Sequence, residues 1–369
     1  MPNRLGIASM SLGRPGIHDL REKLHQAALH NYAGIELFYD DLDHLAKTAF
    51  NSCVVTATHH VHQLCTTLNL TIICLQPFSF YEGLLDRAEH ERLVSEKLPF
   101  WFDLARILNT DLIQIPSNFL CADPVTGESR TTGDRDVIVR DLQRVADMGL
   151  ALEPPMRFVY EALAWGNHVN TWDASWEIVK AVDRENFGVC LDTFNLAGRV
   201  YADPACGTGK TPNAEEDLRV SLEKLRREVD VKKVFYLQVV DGERLSAPLD
   251  ENHPWYVKEQ PARMSWSRNA RLFAFEEDRG GYLPVLDVAR AFFDLGFEGW
   301  VSLELFSRTL ADPHAETPRR HARRGYESWR KLVMALDLET EVPITTTMAP
   351  LEDVKSYVEE TVMPVQHRL

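Results

Sequence analysis

RFVYEAL at residues 157–163 and FGVCLDT at residues 187–193 share one pattern: an apolar run broken near its end by a single carboxylate, Glu161 in the first and Asp192 in the second. Runs of this length that are apolar throughout suit strands buried on both faces, as in parallel sheets. Working outward, the same reading applies to 5–9, 34–38, 71–78, 112–117, 234–240 and 300–306, which makes eight candidate strands. Amphipathic segments alternate with them at 19–31, 89–109, 134–148, 171–182, 214–229, 285–295 and 319–336. The connection from about 42 to 68 has room for a helix plus an excursion. Eight strands alternating with helices predict an α/β fold, a (β/α)8 TIM barrel over residues 1–337. Residues 338–369 read as a C-terminal tail with a short helix at 351–360.

The last four strands carry the chemistry. Their ends read FVYEAL, VCLDTFN, FYLQVVD and VSLELF, placing Glu161, Asp192, Gln238 and Glu304 at matched positions. Side chains two apart on a strand share a face, so Val159, Cys190, Tyr236 and Ser302 are expected as the layer beneath them. One buried carboxylate can pair with a lysine or arginine. Four oxygen ligands converging on the barrel axis instead suit a hard divalent cation such as Mg²⁺ or Mn²⁺. The connections at 195–213 and 241–283 are long and leave strand C-terminal ends, so both are expected to cover the pocket. The second contains MSWSRNARLF, where Ser267, Arg268 and Arg271 are candidates for holding an anionic substrate group. His168 follows Glu161 in EALAWGNHV and is a candidate proton-transfer group. Glu36 in GIELF either lines the floor of the site or pairs with a neighbouring arginine.

Other features are less informative. GTGKT at 207–211 lacks the glycine that a phosphate loop needs at 204, where Pro204 stands. His59, His60 and His62 in THHVHQL have no evident partner ligand and read as a solvated helical segment.

Composition narrows the class of function. The 369 residues contain 40 Lys+Arg against 55 Asp+Glu, a formal net charge of −15. That balance excludes a general nucleic-acid binder, whose affinity depends on basic residues. No run of about 18 apolar residues occurs, so neither a membrane span nor a signal peptide is expected. Six cysteines occur singly, several inside apolar runs, and are expected to be buried and reduced in a cytoplasmic protein. A small-molecule substrate is expected, and a homo-oligomer stays open.

With these motifs in hand, the chain resembles the 3-dehydroshikimate dehydratases of quinate and shikimate catabolism in their single-domain, fungal-type form. The likeness runs from ASMSLG, GIELFYDDL and LQPFSFYEGLLDR through IQIPSNF and FVYEALAWG to CLDTFNLAGRVYADP, VFYLQVVD, QPARMSWSRN and GFEGWVSLELF. It implies a xylose isomerase-like barrel that converts 3-dehydroshikimate to protocatechuate and water with one divalent metal ion, Mg, Mn or Co. The family's metal pattern falls on Glu161, Asp192, Gln238 and Glu304, and its substrate-binding SWSRNAR segment on Ser267 and Arg271. Many relatives of the superfamily have LDTFH or LDSFH where this chain has Asn195, so a histidine role there does not carry over. The alternatives are a sugar or keto-acid isomerase or epimerase on the same barrel, a non-catalytic metabolite sensor, and a barrel endonuclease that the charge disfavours.

Overall fold

The computed structural model describes residues 2–341, so most of the expected tail, including its short helix at 351–360, lies outside the described residues. Seven strands come first: β1 (Arg4–Ala8), β2 (Gly34–Phe38), β3 (Thr71–Gln76), β4 (Leu112–Pro116), β5 (Arg157–Glu161), β6 (Phe187–Asp192) and β7 (Val234–Gln238). Strands β8 (Asp241–Gly242) and β9 (Arg271–Leu272) form a separate antiparallel ribbon. Strand β10 (Trp300–Leu303) closes the ring by pairing in parallel with both β7 and β1. The result is the expected closed parallel barrel, its eight strands following one another in chain order. Most strands end earlier than the apolar runs that foretold them. After β5, for example, the chain leaves the sheet and the Leu163 N–H is bonded to Ser117 Oγ (3.0 Å).

Register decides what the interior holds. Cys190 pairs with Tyr236 and Asp192 with Gln238 across β6 and β7. Val159, Cys190 and Tyr236 join Ile73, Cys74 and Leu112 in an apolar plug inside the barrel, with Ser302 fully buried at the same level. Each apolar side chain in such a plug contributes about 1.5–3 kcal/mol through burial. The polar residues of the next level therefore rest on a rigid floor.

Helices cover the outside. Among them, α1 (Leu20–Leu29), α6 (Arg135–Leu150) and α7 (Trp172–Val182) are capped by Asp19, Asp134 and Thr171, whose side chains accept N–H groups of the first turn. The connection at 42–68 holds two helices, α2 (Tyr39–Ala49) and α3 (Val54–Thr67), turned at Asn51 and Ser52, both with positive φ. The single helix expected at 89–109 is three pieces: α4 (Arg87–Arg92), a π-helical turn at Leu93–Lys97, and α5 (Leu98–Ile107). Helix α8 (Thr193–Val200) occupies the start of the long connection after β6, and α9 (Ala214–Glu228) follows it. The connection at 241–283 carries the β8–β9 ribbon and α10 (Ala262–Ala270); α11 (Val285–Phe293) and α12 (Thr317–Leu336) complete the outer layer. Lys210 of GTGKT donates to Glu215 at the start of α9 (2.6 Å). In α3, His59 is exposed while His60 and His62 are half-buried. All six cysteines are free. Cys65, Cys74 and Cys190 are buried as expected, whereas Cys53, Cys121 and Cys206 stand at the surface in polar loops. Among the described residues, no helix is long and apolar enough to cross a membrane.

Candidate metal centre and substrate pocket

Glu161, Asp192 and Glu304 converge at the C-terminal mouth of the barrel, each offering one oxygen within 4.8 Å of the others, and all three are buried. Burial pushes all three carboxyls above the ordinary carboxylate range, because ionising them removes charge from water. Their mutual repulsion pushes the same way for Glu161, and Glu304 reaches about 8. Two amides hold the first pair in place. Asn195 Nδ2 donates to both Glu161 Oε1 and Asp192 Oδ2 (2.7 Å each), and Gln114 Nε2 donates to Glu161 Oε2 (2.5 Å). Asp192 also caps α8, accepting the Phe194 N–H at 2.8 Å, which fixes its rotamer from the helix side. Asn195 thus bridges two candidate ligands.

Gln238 completes the quartet from β7. Its Nε2 donates to Glu36 Oε2 (2.8 Å), while its buried Oε1 has no hydrogen-bond partner. Glu36 lies on the floor, accepting also from Gln76 Nε2 (2.7 Å) and Tyr236 Oη (2.9 Å), and burial raises its carboxyl to about 7. That resolves its two sequence readings in favour of the floor. Gln76 and Gln114 escaped notice in the sequence although both interrupt apolar runs, TIICLQ and LIQIP, near the same strand ends.

Arg271 enters from the lid. It is fully buried, and its Nη1 donates to Asp192 Oδ2, Glu304 Oε2 and the Glu304 carbonyl, all at 3.1 Å. Its Nε donates to Ser267 Oγ (3.0 Å), and its guanidinium lies over the Phe194 and Phe306 rings (4.3 and 5.2 Å). Only Nη2 is left without a partner. Ser267 and Arg271 are placed by α10, which Trp266 pins down. Its ring packs on Phe194 at 4.6 Å and its Nε1 donates to the Glu243 carbonyl (2.8 Å). Gly242 permits this approach, because a Cβ there would stand 2.5 Å from the Trp266 ring.

With all three carboxyls ionised, the one guanidinium would leave two negative charges uncompensated. An all-oxygen donor set with that excess, plus an orphaned amide oxygen aligned with it in register, fits a hard divalent cation.

Above the quartet lies a cavity of about 450 Å³ lined by Gln76, Gln114, Glu161, Glu304, Ser267, Arg268 and Arg271, with Phe38, Phe80, Phe119, Trp101 and Trp165 among its apolar walls. Asp40 and Lys97 also reach it. Arg268 is exposed at the rim, donating to Gln260 Oε1 at 3.3 Å. His168 is placed elsewhere. It is exposed, hydrogen-bonded through Nε2 to Thr131 Oγ1 (3.1 Å), seated over Gly133, and absent from the residues lining the cavity.

The xylose isomerase-like TIM barrel family matches residues 24–332. A 3-dehydroshikimate dehydratase of Neurospora crassa is 52% identical over 358 residues, spanning 94% of this chain and 98% of its own. Among solved structures, a xylose isomerase-like TIM barrel/4-hydroxyphenylpyruvate dioxygenase fusion protein superposes with a TM-score of 0.68 at 25% identity, covering 95% of this chain and 47% of that one. The IOLI protein, solved with a bound zinc atom, superposes at 0.63 and 17% identity over 92% of this chain and 100% of its own. The chain belongs to the xylose isomerase-like TIM barrels and, within them, to the 3-dehydroshikimate dehydratases.

Proposed function

We propose that this protein dehydrates 3-dehydroshikimate to protocatechuate, with Glu161, Asp192, Gln238 and Glu304 holding one divalent cation beside the reacting carbons. The observation that carries the reading is the convergence of three buried carboxylates beneath a cavity at the barrel mouth in a chain 52% identical to a 3-dehydroshikimate dehydratase. When bound, the cation supplies Lewis acidity to the substrate ketone, which acidifies the C–H next to it. Loss of the C4 proton and expulsion of the C5 hydroxyl release water, and tautomerisation gives the aromatic ring.

The protein's own groups prepare this. Asn195 and Gln114 hold Glu161 and Asp192 at fixed angles, as supporting hydrogen bonds do in metal sites generally. Ser267 and the Phe194 and Phe306 rings fix the Arg271 guanidinium, whose unpartnered Nη2 is the donor left for a substrate oxygen. The aromatic walls give the carbon skeleton an apolar surface to pack against. A group that removes the C4 proton must come within about 3 Å of it, directly or through one water, and His168 stands outside the lining. The free thiols fit a cytoplasmic setting.

The test is turnover of 3-dehydroshikimate followed by the aromatic absorbance of protocatechuate. Chelation should abolish the signal and Mg²⁺, Mn²⁺ or Co²⁺ should restore it. Full activity in metal-stripped protein overturns the cation's role, and isomerised or epimerised substrate without an aromatic product overturns the dehydratase reading.

A further inference from the structure

Lys97 and Arg268 are the cations lining this cavity that the candidate metal centre does not use, and Arg268 already donates to Gln260 Oε1 at the rim. Lys97 lies in the β3–β4 connection, at the end of the π-helical turn Leu93–Lys97 that splits α4 from α5. π-Helical turns are rare and occur frequently at functional sites. The ammonium is half-buried, 4.6 Å from the centre of the Phe78 ring and 5.4 Å from that of Trp101. Among the described residues it has no ion pair and no hydrogen bond, and Asp40, on the same wall, is beyond ion-pair distance. The ring faces attract the ammonium and leave its N–H groups free to donate to an anion in the cavity.

Ring order fixes where it stands. With eight strands in sequence around the barrel, β3 is across from β7 and β4 across from β10. Gln238 ends β7 and Glu304 directly follows β10, so the connection that carries Lys97 faces the candidate metal centre over the cavity. In 3-dehydroshikimate the carboxylate is on C1, para to C4 and meta to the C3 ketone. Holding C3 and C4 at the quartet sends the carboxylate to the opposite wall. Arg271 cannot meet it there, because its Nη1 touches two of the ligands themselves.

Resting on the dehydratase reading, we propose that Lys97 anchors the substrate's carboxylate and so sets the orientation in which the ring meets the cation. Burial lowers the affinity of this amine for its proton relative to an ordinary lysine, and an arriving carboxylate restores it.

The experiment compares protocatechuate with its uncharged amide, 3,4-dihydroxybenzamide, by calorimetry on the manganese-loaded protein. The wild type should favour the acid, and Lys97→Met should lose about tenfold or more of that preference while still binding the amide. In turnover, the same variant should raise KM for 3-dehydroshikimate about tenfold or more and change kcat no more than about threefold. Lys97→Arg should recover part of the acid preference, and Lys97→Gln makes the same comparison if the methionine variant does not fold. Equal affinity of the wild type for acid and amide, an undiminished preference in Lys97→Met, or a fall in kcat with KM unchanged each overturns the anchor. A wild type that discriminates acid from amide yet makes no protocatechuate supports the anchor and defeats the dehydratase reading instead.

Discussion

Glu304→Gln replaces a buried carboxylate by its neutral isostere and should stabilise the cation-free protein at alkaline pH. Burial pushes the Glu304 carboxyl from 4.5 up to about 8, Arg271 opposing this and the neighbouring Glu36 and Asp192 adding to it. The folded protein therefore holds this proton more tightly than the unfolded chain, and stability falls as pH rises from about 4.5 to about 8. At about 1.4 kcal/mol per pH unit, carrying the charge in the folded state costs on the order of 5 kcal/mol. Glutamine does not ionise, so the variant should gain on the wild type steadily across that window. For a chain of this size each kcal/mol is worth about 2–4 °C in Tm or somewhat less. The assay is thermal denaturation at about pH 5 and about pH 8, in chelator and again with millimolar Mn²⁺. In chelator the Tm of the variant minus that of the wild type should grow from pH 5 to pH 8. Manganese should raise the wild type at pH 8 more than the variant, because binding to the folded state alone stabilises it. A difference between the two proteins that is independent of pH, or that shrinks as pH rises, refutes the reasoning.

Three further perturbations probe the supports of the site. Asn195→Ala removes the amide shared by Glu161 and Asp192 and should weaken Mn²⁺ affinity about 10–100-fold, read by titration of the free ion; unchanged affinity would show that the bridge is idle. Gly242→Ala forces a methyl into the Trp266 ring and should cost about 1–3 kcal/mol in urea denaturation, with KM rising as α10 shifts Ser267 and Arg271; a neutral result would mean that the lid absorbs the contact freely. Lys23→Met strands Asp41, whose Oδ1 takes the buried Lys23 ammonium at 2.5 Å, and should cost about 3–5 kcal/mol without changing KM. Loss of substrate affinity in that variant would show that this pair supports the cavity, which neither residue lines.

The barrel and the polar side chains that converge at its mouth were legible because both rest on local rules. A parallel strand buried on both faces must be apolar throughout, so a polar residue inside the run announces itself, as Glu161, Asp192, Gln238 and Glu304 do. Gln76 and Gln114 send the same signal more weakly, since a buried amide asks for less compensation than a carboxylate. What could not be read locally depends on where connections travel. His168 is only seven positions after Glu161, yet the chain turns away at Gly166, where a Cβ would strike Ser117 and the Val169 carbonyl, and His168 ends beside Thr131. Arg271 reads as a free anion clamp in SWSRNAR, and only the closed lid shows its Nη1 committed to the ligands. Lys97 was hidden for another reason. Periodicity over 89–109 predicts one regular helix, and a π-helical turn within it changes which side chain faces the cavity.

The mouth of the barrel is divided into two arcs. The ends of β5, β6, β7 and β10 carry the residues that suit an ion, while the end of β2 and the connections after β2, β3 and β4 furnish Phe38, Asp40, Phe80, Lys97 and Phe119, and Gln114 of β4 reaches across to Glu161. Much of the apolar wall and the candidate ion site are thereby placed on separate stretches of the chain. Exchange of the loops on the second arc would re-aim the same acid-generating machinery at a different carbon skeleton without disturbing the ion, so drift in substrate range should accumulate between residues 38 and 119 rather than around the ligands.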